Sequence, residues 1–90
     1  MLSFHLHIRC DGEFFEDREG IERANLDTAI IEAVRSVRSL VAADVLRGEL
    51  HLDQSIEISD DGGRHLTTVD FAQAIRTIPN RERGASTQDL

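Results

Sequence analysis

The chain has 90 residues, 40% apolar and 30% charged, with a formal net charge of −7 and a single cysteine. That length gives one domain with a modest core, burying roughly 60–65% of its unfolded surface. Lone Cys10 excludes an internal disulfide framework, so the fold rests on its own core or on one shared with a second copy. Seventeen acidic side chains against ten basic ones, all arginine, exclude a general nucleic-acid binder, which needs a positive field facing phosphates. No apolar run approaches the ~20 residues of a membrane helix, and Met1–Arg9 lacks the basic start and long apolar stretch of a signal peptide. The expectation is a cytoplasmic protein with no membrane contact.

Residues 2–10 alternate strictly, with Leu2, Phe4, Leu6, Ile8 and Cys10 on one face and Ser3, His5, His7 and Arg9 on the other. Period two over nine residues predicts a strand buried on one side. Residues 11–22 change character: six carboxylates face Arg18 alone, for a local net charge of −5. Asp11-Gly12 and Gly20 punctuate this stretch as loop, and Phe14-Phe15 provide an apolar anchor. Residues 20–23 can return beside the first strand as a short second one.

Asn25 or Asp27 then caps a long helix. Leu26, Ala29, Ile30, Ala33, Val34, Val37, Leu40, Val41 and Val45 recur at spacings of three and four, building one apolar stripe. Arg47-Gly48 closes it with a C-terminal cation and a glycine just past the end. Next, Ile56 and Ile58 alternate with Glu57 and Ser59, and Asp60-Asp61-Gly62-Gly63 forms a turn. Residues 64–68 return as the second arm of a hairpin, with Leu66 inward. Phe71, Ala74, Ile75 and Ile78 then fit a short helix, capped by Thr68 or Asp70 and stopping before Pro79. The predicted architecture is α+β: a three- or four-stranded antiparallel sheet with the long helix packed on one face, in the order β-(β)-α-β-β-α. A single domain spans residues 1–78, and residues 79–90 read as a flexible tail.

The chemistry-bearing residues are few. His5 and His7 lie two apart on one strand face beside Arg9, a spacing that suits two metal ligands or a general base paired with a cation. A third ligand would have to come from His51, His65 or an acidic side chain, and no spacing demands it. They also suit plain polar positions on a wet sheet face. Counting Asp11 as the first position of a twelve-residue calcium loop puts Glu22 at the twelfth. But Phe15 then takes a ligand position, and Glu16 takes the one where the turn needs glycine. Cys10 shares the phase of the buried face, where a thiol is a small core residue. Gly62-Gly63, beside Asp60 and Asp61, is too short and acidic to cradle a phosphate. These patterns assemble no catalytic, cofactor or metal site.

Several short steps together resemble a known pattern. The start Phe4-His5-Leu6-His7-Ile8-Arg9 leads to Asp11-Gly12 and then to Asp17-Arg18-Glu19-Gly20-Ile21-Glu22. Leu26-Asp27-Thr28-Ala29 opens the helix, Glu32-Ala33-Val34-Arg35 continues it, and Thr68-Val69-Asp70-Phe71 follows the hairpin. Over about residues 4 to 75 the chain is similar to an uncharacterised family of short bacterial proteins. Such chains often carry proline where Asp70 stands here. The resemblance implies the fold but no activity, so it assigns no residue a role. The beginning is also loosely similar to antitoxin subunits of HicB type, which often dimerise; this likeness is one of fold.

Three functional expectations follow. The first is a small non-catalytic interaction or regulatory module working as a homodimer, with a strand edge or the helix ends as the contact. The second is an antitoxin-like inhibitor that meets a basic protein partner through Asp11, Glu13, Glu16, Asp17 and Glu19. The third is a metal-dependent or enzymatic role for His5 and His7.

Overall fold

The computed structural model describes residues 1–76. The elements are β1 (Leu2–Cys10), β2 (Glu13–Phe15), β3 (Ile21–Arg23), α1 (Leu26–Leu46), β4 (Ser55–Asp60), β5 (His65–Asp70) and α2 (Phe71–Ala74). All strands pair antiparallel in one five-stranded sheet, with β4 between β1 and β5. The other edge of β1 is shared: β2 pairs with residues 8–10 and β3 with residues 2–4. The α+β architecture and element order match expectation, with one more strand than foreseen. The extra strand is β2, inside the acidic stretch. Asp11 and Gly12 both adopt positive φ, +53° and +77°, as the two-residue hairpin turn between Cys10 and Glu13 requires.

Helix α1 covers one face of the sheet. Asn25 caps it: its side chain accepts from the Thr28 backbone N–H at 3.0 Å, while the Thr28 hydroxyl accepts from the Asn25 N–H at 3.3 Å. At the far end Gly48 takes φ +80°, and the N–H groups of Gly48 and Glu49 return to the carbonyls of Val45 and Asp44. Those two bonds form a Schellman motif, which is why the chain needs glycine there. Ala29, Ala33, Val37 and Val41, one turn apart, are buried against Phe4, Ile56, Ile58 and Phe71. Leu6, Ile8, Ile21, Leu66 and Val69 complete the core. Each of the larger side chains contributes roughly 1.5–3 kcal/mol by leaving water.

The predicted helix stripe continues beyond this core. Leu40 and Val45 belong to it by spacing but are 39% and 56% exposed, and Leu46 is 90% exposed. After Val41, α1 has no buried residue. No described helix is long and apolar enough to cross a membrane.

In the second hairpin, Asp60 Oδ1 accepts from the N–H groups of Gly62 and Arg64, each at 2.9 Å, and fixes the turn. Opposite Ser59 the register shifts, so that Leu66 is an extra residue between His65 and Thr67. This bulge lets Leu66 reach the core while His65 bonds Thr68 Oγ1 at 2.9 Å. Val69 and Asp70, expected at the helix entry, are the last residues of β5. Helix α2 is capped by Asp70 with no side-chain cap bond and ends at Ile75, which is extended. The expected contribution of Ile78, the stop at Pro79 and the tail at 79–90 lie outside the described residues.

Candidate functional site

The open face of the sheet is polar, as the alternation predicted. His5, His7 and Arg9 of β1 lie opposite Ser59, Glu57 and Ser55 of β4. Arg9 Nε reaches Glu57 Oε2 at 2.6 Å and its guanidinium lies over the Phe14 ring, 4.9 Å from the centroid. The Arg9 hydrogen bond holds the Glu57 carboxyl below the usual carboxylate range, outweighing the effect of burial. The His5 and His7 rings are nearly parallel, 8° apart in plane, with centroids 6.1 Å apart.

What joins the two histidines is the residue between β2 and β3. The carbonyl of Asp17 accepts from His5 Nδ1 at 2.8 Å, and the N–H of Asp17 donates to His7 Nδ1 at 2.9 Å. A carbonyl only accepts and an amide N–H only donates, so the two bonds assign opposite tautomers. His5 carries a proton on Nδ1 and leaves Nε2 free to accept, whereas His7 carries its proton on Nε2. The Asp17 carboxylate completes the clamp. One oxygen accepts from the Leu6 N–H at 3.0 Å, and the other from Glu19 and Gly20 at 3.2 and 3.1 Å. Asp17 thus occupies the gap in the β1 edge that neither β2 nor β3 covers. Burial raises its pKa, but the three N–H groups and nearby His5 outweigh this and leave it lowered.

Gly20 is the point where the chain passes closest to β1. Its φ is +73°, and a Cβ there would sit 2.8 Å from the Phe4 carbonyl oxygen and 3.0 Å from His5 Cε1. Only glycine meets both conditions. The Glu19-Gly20 step noticed in the sequence is therefore a backbone requirement.

Around the two rings lies a cleft of about 250 Å³, lined by His5, His7, Glu16, Asp17, Arg18, Asp60, Asp61 and Gly63. His5 Nε2 is 3.6 Å from Asp61 Oδ1. The Asp17 carbonyl, against an opposing desolvation and with help from Asp61, raises the His5 pKa above its ordinary 6.5. The cleft thus sets the outer nitrogen of His5, which holds a proton to higher pH than an ordinary imidazole, beside a donor on His7. It is a poor metal site, because His7 must give up its Nε2 proton or its bond to Asp17 before it can ligate. Among the described residues no group of three or more His, Cys, Asp or Glu is placed to hold a metal ion. His51 and His65 do not join the pair; they bond Glu49 and Thr68 respectively. Cys10 is half-buried, and burial together with Asp11, Asp53, Glu13 and Asp44 pushes its thiol pKa up, away from the reactive thiolate.

The acidic stretch divides by role. Asp11, Glu13, Glu16 and Glu19 are exposed, while Asp17 faces inward and is bonded throughout. Phe14 and Phe15, expected as an anchor, are 45% and 53% exposed on β2. The clamp leaves no periodic trace in the sequence, since its partners lie ten to twelve residues apart. The available signal was the spacing from Asp17 to Gly20, which lets an Asp side chain bond N–H groups two and three residues ahead.

No curated protein and no solved structure matches the chain. A family defined by a domain of unknown function, DUF6894, matches residues 3–72. That span runs from β1 through the His–Asp17 clamp and Gly20 to Phe71, and the chain belongs to this family.

Proposed function

We propose that the protein is a non-catalytic interaction module of the bacterial cytoplasm, working as a homodimer and presenting its β2 edge to a basic protein partner. The observation that carries this reading is the pairing of apolar and acidic exposure at one edge. Phe14 and Phe15 are about half exposed on a three-residue strand, among exposed Asp11, Glu13 and Glu16. Half-exposed aromatics framed by like charges fit a partner that brings apolar side chains and arginine or lysine together. The clamp below β2 supports the reading, since five hydrogen bonds to Asp17 hold the following loop in one shape. A preorganised surface loses less entropy on binding. Occupying this edge to silence a basic partner is the antitoxin-like form of the same reading.

The test uses the purified chain and a peptide of alternating arginine and leucine, followed by NMR. Shifts are expected at residues 11–16, with binding that weakens as salt rises. A variant with Asp11, Glu13, Glu16 and Glu19 changed to amides should keep its fold and lose the peptide, and should also lose basic proteins retained from a cell extract. Equal retention by wild type and amide variant would overturn the reading.

A further inference from the structure

We infer that the cleft beside His5 and His7 takes the cationic head of an arginine from the basic partner; this rests on the partner chemistry of the reading above. Three pieces of chain form the cleft. β1 supplies the two imidazoles, the loop after β2 supplies Glu16 and Arg18, and the turn after β4 supplies Asp60 and Asp61. Its volume of about 250 Å³ is below the roughly 300–1,000 Å³ of pockets that enclose a small molecule, and suits a single side-chain head.

The occupant is argued from ion pairing. Among the described residues, the ion pairs elsewhere close to hydrogen-bonding distance: Arg9 with Glu57 at 2.6 Å, Arg23 with Glu32 and His51 with Glu49 at 3.1 Å, and Arg47 with Asp44. The two exceptions both flank this cleft. Arg18 Nε stops 3.6 Å from Glu16 Oε1, and His5 Nε2 stops 3.6 Å from Asp61 Oδ1. A charge-assisted hydrogen bond is about 2.7–2.9 Å long, so neither carboxylate is closed by its own cation. Asp17 and Asp60 add negative charge, but Asp17 is bonded to three backbone N–H groups and Asp60 Oδ1 to those of Gly62 and Arg64. Two carboxylates, one on the loop and one on the turn, are therefore left to be bridged. A guanidinium presents five N–H donors in a planar fork and keeps its charge, which suits it to bridging both. Glu16 directly follows exposed Phe15, so a partner seated on the β2 edge brings its neighbouring side chain to the cleft.

NMR on the full chain tests this with acetyl-arginine amide and its uncharged isostere, acetyl-citrulline amide. The arginine probe should move the His5 and His7 ring signals and the Gly63 amide. It should leave His51, whose pair with Glu49 is already closed, in place, and the citrulline probe should move none of them. Asp61→Asn, at a side chain 82% exposed, should keep the fold and weaken the arginine–leucine peptide about fivefold. Adding Glu16→Gln should bring the loss to about twentyfold. Equal shifts from the citrulline probe would overturn the cleft as a cation site. Peptide binding at residues 11–16 that is indifferent to Asp61→Asn would also overturn it, and would leave the β2 edge standing. Arginine-probe shifts lost in Asp61→Asn, with no peptide shifts at residues 11–16, would uphold the cleft and overturn the β2 edge.

Discussion

His7 Nδ1 accepts the backbone N–H of Asp17 at 2.9 Å, which places the imidazole proton on Nε2 whenever the loop is docked. A strand histidine that looks like a ligand in the sequence is instead an acceptor for a neighbouring loop. The side chain is held by what it binds through its inner nitrogen, and only the outer nitrogen meets the cleft. His7→Asn should preserve an acceptor near the Nδ1 position and cost less than His7→Leu, which leaves the Asp17 N–H without its partner. The difference should be about 1–2 kcal/mol in urea unfolding.

Asp17 contributes three accepted N–H bonds through its carboxylate. Asp17→Ala should destabilise the fold by about 1–3 kcal/mol, because hydrogen bonds to charged groups are the stronger kind and three donors lose their partner. Amide exchange at Leu6 and Gly20 should accelerate in the same variant. Unchanged exchange at Leu6 would contradict the clamp.

Gly20 and Gly12 share positive φ but differ in space. Alanine at Gly12 meets no atom within 4 Å, so Gly12→Ala should cost only the left-handed penalty of roughly 1–2 kcal/mol. Gly20→Ala adds a clash with the Phe4 carbonyl and should cost clearly more. Equal melting temperatures for the two variants would contradict the close approach.

The two ends of the clamp set a pH window. The folded-state pKa of Asp17 is lowered, so its contribution is present above its ordinary value of 3.8 and is lost as pH falls through the folded value. The folded-state pKa of His5 is raised, so its contribution is complete below its ordinary value of 6.5 and is lost as pH rises through the folded value. Both contributions are present together between those limits, where the loop should be most stable. Histidine NMR titration should give His5 a midpoint above 6.5, and Asp61→Asn should lower it. A His5 midpoint unaffected by Asp61→Asn would show that Asp61 does not act on it.

Phe71 is fully buried although it belongs to a helix of only four residues. Phe71→Ala should cost about 3–5 kcal/mol, a large share of the stability of a domain this small. Loss of the cooperative thermal transition is the expected reading by circular dichroism.

Much of this architecture is legible because its elements obey a single period. β1 alternates over nine residues, and α1 has a capping residue at Asn25, a stripe through Val37, and Gly48 at its end. Strand β2 escaped because three residues are too few to establish alternation, and its acidic neighbours read as solvated loop. The role of Asp17 escaped for a different reason. Its partners at Leu6, His5 and His7 are ten to twelve residues away and meet it only after β1 and β3 have paired. Exposure of Leu46 was also hidden, since spacing states which side of a helix is apolar but not where the sheet beneath it stops.

The shared edge of β1 has a consequence for how the protein behaves when crowded. A long, bare strand edge invites the addition of foreign strands and the growth of aggregates. Here β2 and β3 each offer three residues, and the interval between them is filled by the loop that Asp17 pins. An incoming strand meets two short steps with an obstacle between them, so this side of the sheet cannot template continuous pairing. The turn that needs Gly20 and the carboxylate that caps Leu6 therefore also act as a stop against fibre growth.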